Sequence, residues 1–203
     1  MRLLLLSLLL LGHTAVAAPQ GVEAKLRTGD LVFHTSRSQQ SAAIQAATHS
    51  PLSHVGLVEV TPQGLFVVEA VQPVKRVSFA RWKARGVKGH LLVLRPETLT
   101  EAQRTAALTE ARRHLGKPYD WHFGWGDEAM YCSELVHKAY AAGAGVAYGK
   151  LEKLGTLDVK HLRSQLQSRY GGQVPVDLEL LTPASLAADE RLTVVHSDFP
   201  EVR

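Results

Sequence analysis

The stretch that most narrows the folding options runs from Ser53 to Val71. Two apolar runs, Ser53-His54-Val55-Gly56-Leu57-Val58-Glu59-Val60 and Leu65-Phe66-Val67-Val68-Glu69-Ala70-Val71, flank Thr61-Pro62-Gln63-Gly64. β-Branched runs on either side of a turn bearing proline and glycine predict an antiparallel hairpin. If Val60 faces Leu65 across the turn, Gly56 faces Glu69 and His54 faces Val71. His54 and Glu69 then share one face as diagonal neighbours, with Cα atoms about 7–8 Å apart and side chains within hydrogen-bonding reach. Glu59 falls on the other face and is the poorer partner. Gly56 leaves room for something to approach. A slip of one residue would undo the arrangement.

A second constraint sits around the only cysteine. In Met130-Tyr131-Cys132-Ser133-Glu134-Leu135-Val136-His137-Lys138-Ala139-Tyr140, the residues Tyr131, Leu135, Val136, Ala139 and Tyr140 recur along one helical face. Gly143 and Gly145 are expected to stop that helix, and Gly124, Gly126 and Asp127 to prevent an earlier start. Cys132 therefore belongs in the first turn. Unpaired N–H groups and the helix dipole there favour a thiolate and can bind an oxyanion. Two readings stand at this point: a nucleophile, or a small buried apolar residue.

The amino terminus bears on that choice. Arg2, the Leu/Ser run Leu3 to Leu11 and Ala15-Val16-Ala17 have the charged start, apolar middle and small-residue end of a secretory signal. The run is shorter than the about 20 residues that span a bilayer. We expect residues 1–18 to be removed, the chain to be periplasmic or secreted, and no transmembrane span to follow. Residues 19–203 are expected to form one domain. A single cysteine excludes an intrachain disulfide, and oxidising compartments penalise a stray thiol, which favours the catalytic reading. The net charge of +4 is spread without a basic run. It weakly favours anionic surroundings such as cell wall or lipid headgroups and argues against nucleic acid.

Elsewhere, Gly29 to Phe33 predicts a strand, Ser38 to Ala47 a short helix ended by Pro51, and His90 to Arg95 a strand closed by Pro96. Thr98 or Thr100 is expected to cap a helix from Glu101 to His114, ended by Gly116. The loop from Gly116 to Trp125 is rich in aromatic residues and leads to Cys132, as a ligand wall would, although large rings are more often core. Leu151 to Leu157 reads as loop, Val159 to Tyr170 as helix, Val174 to Leu181 as an irregular edge, Thr182 to Ala187 as a capped short helix and Leu192 to Val195 as a strand. P-loop, dinucleotide, HExxH and GxSxG motifs are absent.

A cysteine nucleophile needs a base, and the base an orienter. His54 and Glu69 supply both, on condition that the fold brings the hairpin to Cys132. Against this stand a half-buried structural histidine and a solvent-facing carboxylate. A zinc site from His34, His49, His54 and Cys132 is the metal alternative, but the spacings match no tight metal motif. Neither a metal nor another cofactor is expected.

These residues resemble a known family. Gly29-Asp30-Leu31-Val32-Phe33, Ser53-His54-Val55-Gly56-Leu57-Val58, Val68-Glu69-Ala70-Val71-Gln72-Pro73-Val74, Gly116-Lys117-Pro118-Tyr119-Asp120, Tyr131-Cys132-Ser133-Glu134-Leu135-Val136 and Thr182-Pro183-Ala184-Ser185-Leu186 look like the successive motifs of the YiiX/YebB-like permuted NlpC/P60 cysteine hydrolases. The resemblance implies an α+β, circularly permuted papain-like fold, with a mostly antiparallel sheet or partial barrel packed against the helix bearing Cys132. It implies Cys132 as nucleophile, His54 as base and Glu69 as third member, with amidase or peptidase chemistry. Lys117, Tyr119, Asp120 and Tyr131 are candidate substrate contacts. The leading expectation is an exported amidase or endopeptidase, with peptidoglycan peptides as a candidate substrate. A lipid-directed N-acyl amidase or acyltransferase, whose chain the loop aromatics Tyr119, Trp121, Phe123 and Trp125 would suit, and a non-catalytic wall- or lipid-binding protein are the alternatives.

Overall fold

The structure, a computed structural model, describes residues 20–200. The expected signal at 1–18 lies outside the described residues. The strands are β1 (Leu31–His34), β2 (His54–Thr61), β3 (Gly64–Glu69), β4 (Lys75–Ser78), β5 (Leu92–Arg95), β6 (Glu152–Lys153), β7 (Glu179–Leu180) and β8 (Thr193–Ser197). The helices are α1 (Gln39–Thr48), α2 (Phe79–Ala84), α3 (Glu101–Arg113), α4 (Cys132–Ala144), α5 (Arg163–Arg169) and α6 (Pro183–Ala187).

Six strands form an antiparallel sheet in the order β4-β3-β2-β1-β5-β8. The hairpin has the register expected from its turn: Val60 lies opposite Leu65 and Leu57 opposite Val68. Gly56 differs from expectation. An added Cβ would stand 2.5 Å from Val67 Cγ1 and 3.0 Å from the Val68 carbonyl oxygen, so the neighbouring strand fills the space a ligand would need.

The central strands are apolar almost throughout because both faces are covered. Phe33, Leu57, Val68 and Leu94 pack with Leu135, Val136 and Tyr140 of α4 and Leu108 of α3. Val32, Val58, Val67 and Val93 pack with Phe79 and Trp82 of α2. Thr100, not Thr98, caps α3, in a capping box with Gln103. Gly143 does not end α4; Gly145 does, in the left-handed conformation. Gly143 lies where α4 crosses α3, and a Cβ there would stand 2.6 Å from the Ala106 backbone.

Residues 75–84, which carried no expectation, form β4 and α2. Leu151 to Leu157 is more ordered than a loop, since Glu152 and Lys153 pair with Glu179 and Leu180. The helix expected over Val159 to Tyr170 begins as a 3-10 turn at Lys160–Leu162 and becomes α5 only from Arg163. This region packs its own small cluster, with Leu154, Leu162, Leu166 and Leu180 against Ala47 of α1. No helix of the described residues is long and apolar enough to cross a membrane.

Candidate active site

Cys132 is the first residue of α4, and Tyr131 is its N-cap. The start of the helix is fixed by Glu134, whose carboxylate accepts from the Tyr131 N–H at 3.2 Å and pairs with Lys138 at 2.9 Å. Burial outweighs these partners and pushes the Glu134 carboxyl up to about 7. Ser133 Oγ donates to the Leu181 carbonyl at 2.6 Å, and the Leu181 N–H donates to Tyr131 Oη at 3.0 Å, so both neighbours of Cys132 are tied to one strand end.

His54 is the first residue of β2, at the end of the sheet, and Cys132 lies near enough to its ring to help raise its pKa. Its Nε2 lies 2.7 Å from Glu69 Oε2. That leaves Nδ1 as the nitrogen for Cys132. Burial alone would lower the His54 pKa, but hydrogen bonds and charges from Cys132 and Glu69 together raise it to about 9. Glu69 is fully buried; burial would raise its carboxyl, yet His54 and Arg85 hold it below the ordinary value. The sheet therefore brings His54 and Glu69 together, and the start of α4 places Cys132 beside them.

His34, directly opposite His54 in the ladder, stacks on Trp82 at 4.1 Å and sits 5.3 Å from the His54 ring. Burial first, then the neighbouring His54 and Arg85 charges, lower its pKa to about 2. It is thus a neutral packing partner. His49 is far more exposed and pairs with Asp158 at 3.2 Å. Among the described residues, no group of three or more His, Cys, Asp and Glu side chains converges as metal ligands would.

A deep apolar cavity reaches Cys132. Its volume is about 90 Å³, and it lies between α1, the aromatic loop and the 154–183 segment. Ile44, Phe123, Leu157, Leu166 and Leu181 are among its walls, with Tyr119 and Tyr131 beside Cys132. Gln40 Nε2 donates to Tyr119 Oη at 3.1 Å, and burial, with Cys132 nearby, keeps that phenol protonated well above the ordinary tyrosine value.

Of the four expected substrate contacts, Tyr119 and Tyr131 line the cavity; Lys117 and Asp120 do not. Lys117 Nζ donates to the Asp127 carbonyl, and Asp120 Oδ1 accepts from the His122 N–H at 2.8 Å. Trp121 and Trp125 point outward, 51% and 38% exposed, rather than into the cavity. Sequence reasoning missed Arg85, Gln40 and Glu134. It also missed the far wall of the cavity, although the spacing of Leu154, Leu157, Leu162 and Leu166 carried that signal.

Residues 25–196 match the family described as permuted papain-like amidase enzyme, YaeF/YiiX, C92 family. The chain belongs to this family. It is 38% identical over 202 residues to the uncharacterized protein YiiX of Escherichia coli (strain K12), covering 98% of this chain and 96% of that protein. A crystal structure described as that of the metalloprotein YiiX from Escherichia coli O157:H7 is similar with a TM-score of 0.82 and 38% identity, covering 87% of this chain and 99% of that one. The YaeF/YiiX-type α+β fold and an amidase or hydrolase type of activity follow from membership. The permutation accounts for the chain order, in which His54 precedes Cys132.

Proposed function

We propose that this chain is an exported cysteine amidase that forms a thioester on Cys132, with an aliphatic acyl chain of the substrate seated in the apolar cavity. The observation that carries the acyl assignment is the cavity itself. Its lining is mostly aliphatic and aromatic, with Gln40, Thr48, Ser133, Gln165 and Thr182 as polar members, and Arg169 is the one charged side chain among the described residues that line it. A stem peptide with several charged groups would lose hydration there without compensation. An alkyl chain gains about 0.8 kcal/mol for each buried CH₂.

The chemistry follows from the geometry. His54 Nδ1 takes the Cys132 proton, and the sulfur attacks the amide carbonyl carbon. The oxyanion is met by the Cys132 N–H at the helix start and by the Tyr119 hydroxyl, whose proton is free because Gln40 supplies the hydrogen bond that Tyr119 Oη accepts. Protonated His54 then gives its proton to the leaving nitrogen as the C–N bond breaks. Water attacks the thioester and loses a proton to His54; the departing sulfur takes that proton back, and a carboxylic acid is released. Glu69 orients the ring throughout. A metal centre, raised by the description of the related crystal structure, finds no set of three or more donor side chains among the described residues.

The test is turnover of purified protein on N-acyl amides of graded chain length and on muropeptides, with intact mass measured during turnover. The reading expects fatty-acid release and an acyl adduct that disappears in Cys132→Ser. Muropeptide cleavage without acyl-amide turnover would move the substrate to peptides. Turnover of neither would favour a binding protein.

A further inference from the structure

Glu69 carries two cationic partners, one on each oxygen. Oε2 takes His54 Nε2 at 2.7 Å, and Oε1 accepts a charge-assisted hydrogen bond from Arg85 Nη2. The carboxylate has no exposure, while the Arg85 side chain keeps 41% of its surface in solvent. Building on the roles of Cys132, His54 and Glu69 given above, we propose that Arg85 is a positioning residue for the amidase reaction, holding Glu69 so that it orients His54 in both of the ring's protonation states.

The need arises from the proton cycle. His54 alternates between imidazolium and imidazole, so a buried carboxylate paired with His54 alone would lose its only compensating charge in each turnover. A buried carboxylate with so little compensation is driven to take up a proton; drawn from Nε2 of the imidazolium, it would leave a neutral ring protonated on Nδ1, the wrong tautomer to accept the Cys132 proton. Arg85 is permanently charged and compensates Glu69 at every stage. The Nε2 proton then stays on the ring, and Nδ1 remains the basic nitrogen facing Cys132. Neither Glu69 nor Arg85 exchanges a proton; the one in transit moves from sulfur to Nδ1 to the leaving amine.

The fold makes a specific provision for this contact. Arg85 is the C-cap of α2, with its N–H donating to the Trp82 carbonyl at 3.1 Å. The chain then bridges Gly86 to Ser36, and the Val87 N–H donates to the Thr35 carbonyl at 2.9 Å. A Cβ at Gly86 would stand 3.1 Å from His34 Nδ1, so glycine lets the chain pass that ring. The titratable groups around the Glu69 site are His54 on β2, His34 on β1, Lys75 opposite Glu69 on β4, Cys132 on α4 and Arg85. Of these, Arg85 alone is a permanent cation bonded to the carboxylate.

The experiment compares Arg85→Gln and Arg85→Lys with wild type in the full chain. For Arg85→Gln, kcat should fall roughly 10-fold, the size of one lost hydrogen bond to a charged group, with KM within about twofold. The Glu69 carboxyl midpoint, followed by ¹³C NMR and assigned with Glu69→Gln, should rise by about one pH unit or more. Arg85→Lys should lie between the two. A residue that only stabilises the fold would lower the melting temperature without moving the midpoint. An unmoved midpoint in Arg85→Gln overturns the proposal. Should that variant not fold, an unmoved midpoint in Arg85→Lys does so. The midpoint is read without turnover, so loss of the amidase reading, seen as wild-type turnover that survives Cys132→Ser, is a separate result.

Discussion

His54 Nε2 lies 2.7 Å from Glu69 Oε2, although the two residues are fifteen positions apart and stand on different strands. The hairpin register fixes this distance. Val60 opposite Leu65 sets the two side chains as diagonal neighbours, and their burial is matched by this hydrogen bond together with the Arg85 pair on the other Glu69 oxygen. The base is therefore oriented by the sheet, not by a flexible loop.

Replacing His54 by alanine removes the acceptor for the Cys132 proton and the donor to the leaving nitrogen. The expected loss in kcat is about 10²–10⁴-fold, with the far-UV spectrum unchanged. Steady-state kinetics on the best N-acyl amide checks it; a loss below fivefold would remove His54 from the mechanism.

Stability should carry the same signature. The folded His54 pKa of about 9 is above the unfolded value, so its contribution is complete below about pH 6.5 and is lost as pH rises through 9. The slope over that window is about 1.4 kcal/mol per pH unit. On the acid side, His34 (lowered to about 2) favours folding as pH rises and Glu134 (raised to about 7) opposes it. The two largely offset each other between about pH 4.5 and 6.5. Urea midpoints of wild type minus His54→Ala should narrow between pH 6.5 and 9; a constant difference would refute the linkage.

Gly143→Ala should be destabilising even though alanine is the better helix former by about 1 kcal/mol. The added Cβ would meet the Ala106 backbone at 2.6 Å and force α3 and α4 apart. A net loss of roughly 1–3 kcal/mol is expected from chemical denaturation. A gain in stability would show that the helix crossing is looser than described.

Filling the cavity should change substrate choice more than rate. Ala43 lines the wall between α1 and the aromatic loop, and Ala43→Phe shortens the space for a chain. For long-chain N-acyl amides, kcat/KM should fall by about 10-fold, while short-chain amides are turned over as before. Equal loss on both would place the acyl chain elsewhere.

The parts legible in the sequence were those with a long, self-consistent pattern. The hairpin was readable because two apolar runs and one turn admit a single register, and α4 because its apolar face runs from Tyr131 to Tyr140. Arg85 was not, because β4 and α2 are only four and six residues long and show no periodicity. Gly143 was read through the usual preference of glycine for helix ends, whereas a helix crossing sets its role. The cavity is a tertiary object. Its walls come from α1, the loop before Cys132 and a segment whose order rests on the small cluster around Leu162 and Leu166.

The most direct test is the alkylation rate of Cys132 against pH in wild type and in His54→Ala. The wild type should react readily at neutral pH, with an inflection near pH 9 as His54 loses its proton. The variant should lose the neutral-pH reactivity and keep only a rise set by ionisation of the thiol alone. Superimposable profiles would contradict the account, since they would mean that the imidazole and the sulfur act independently.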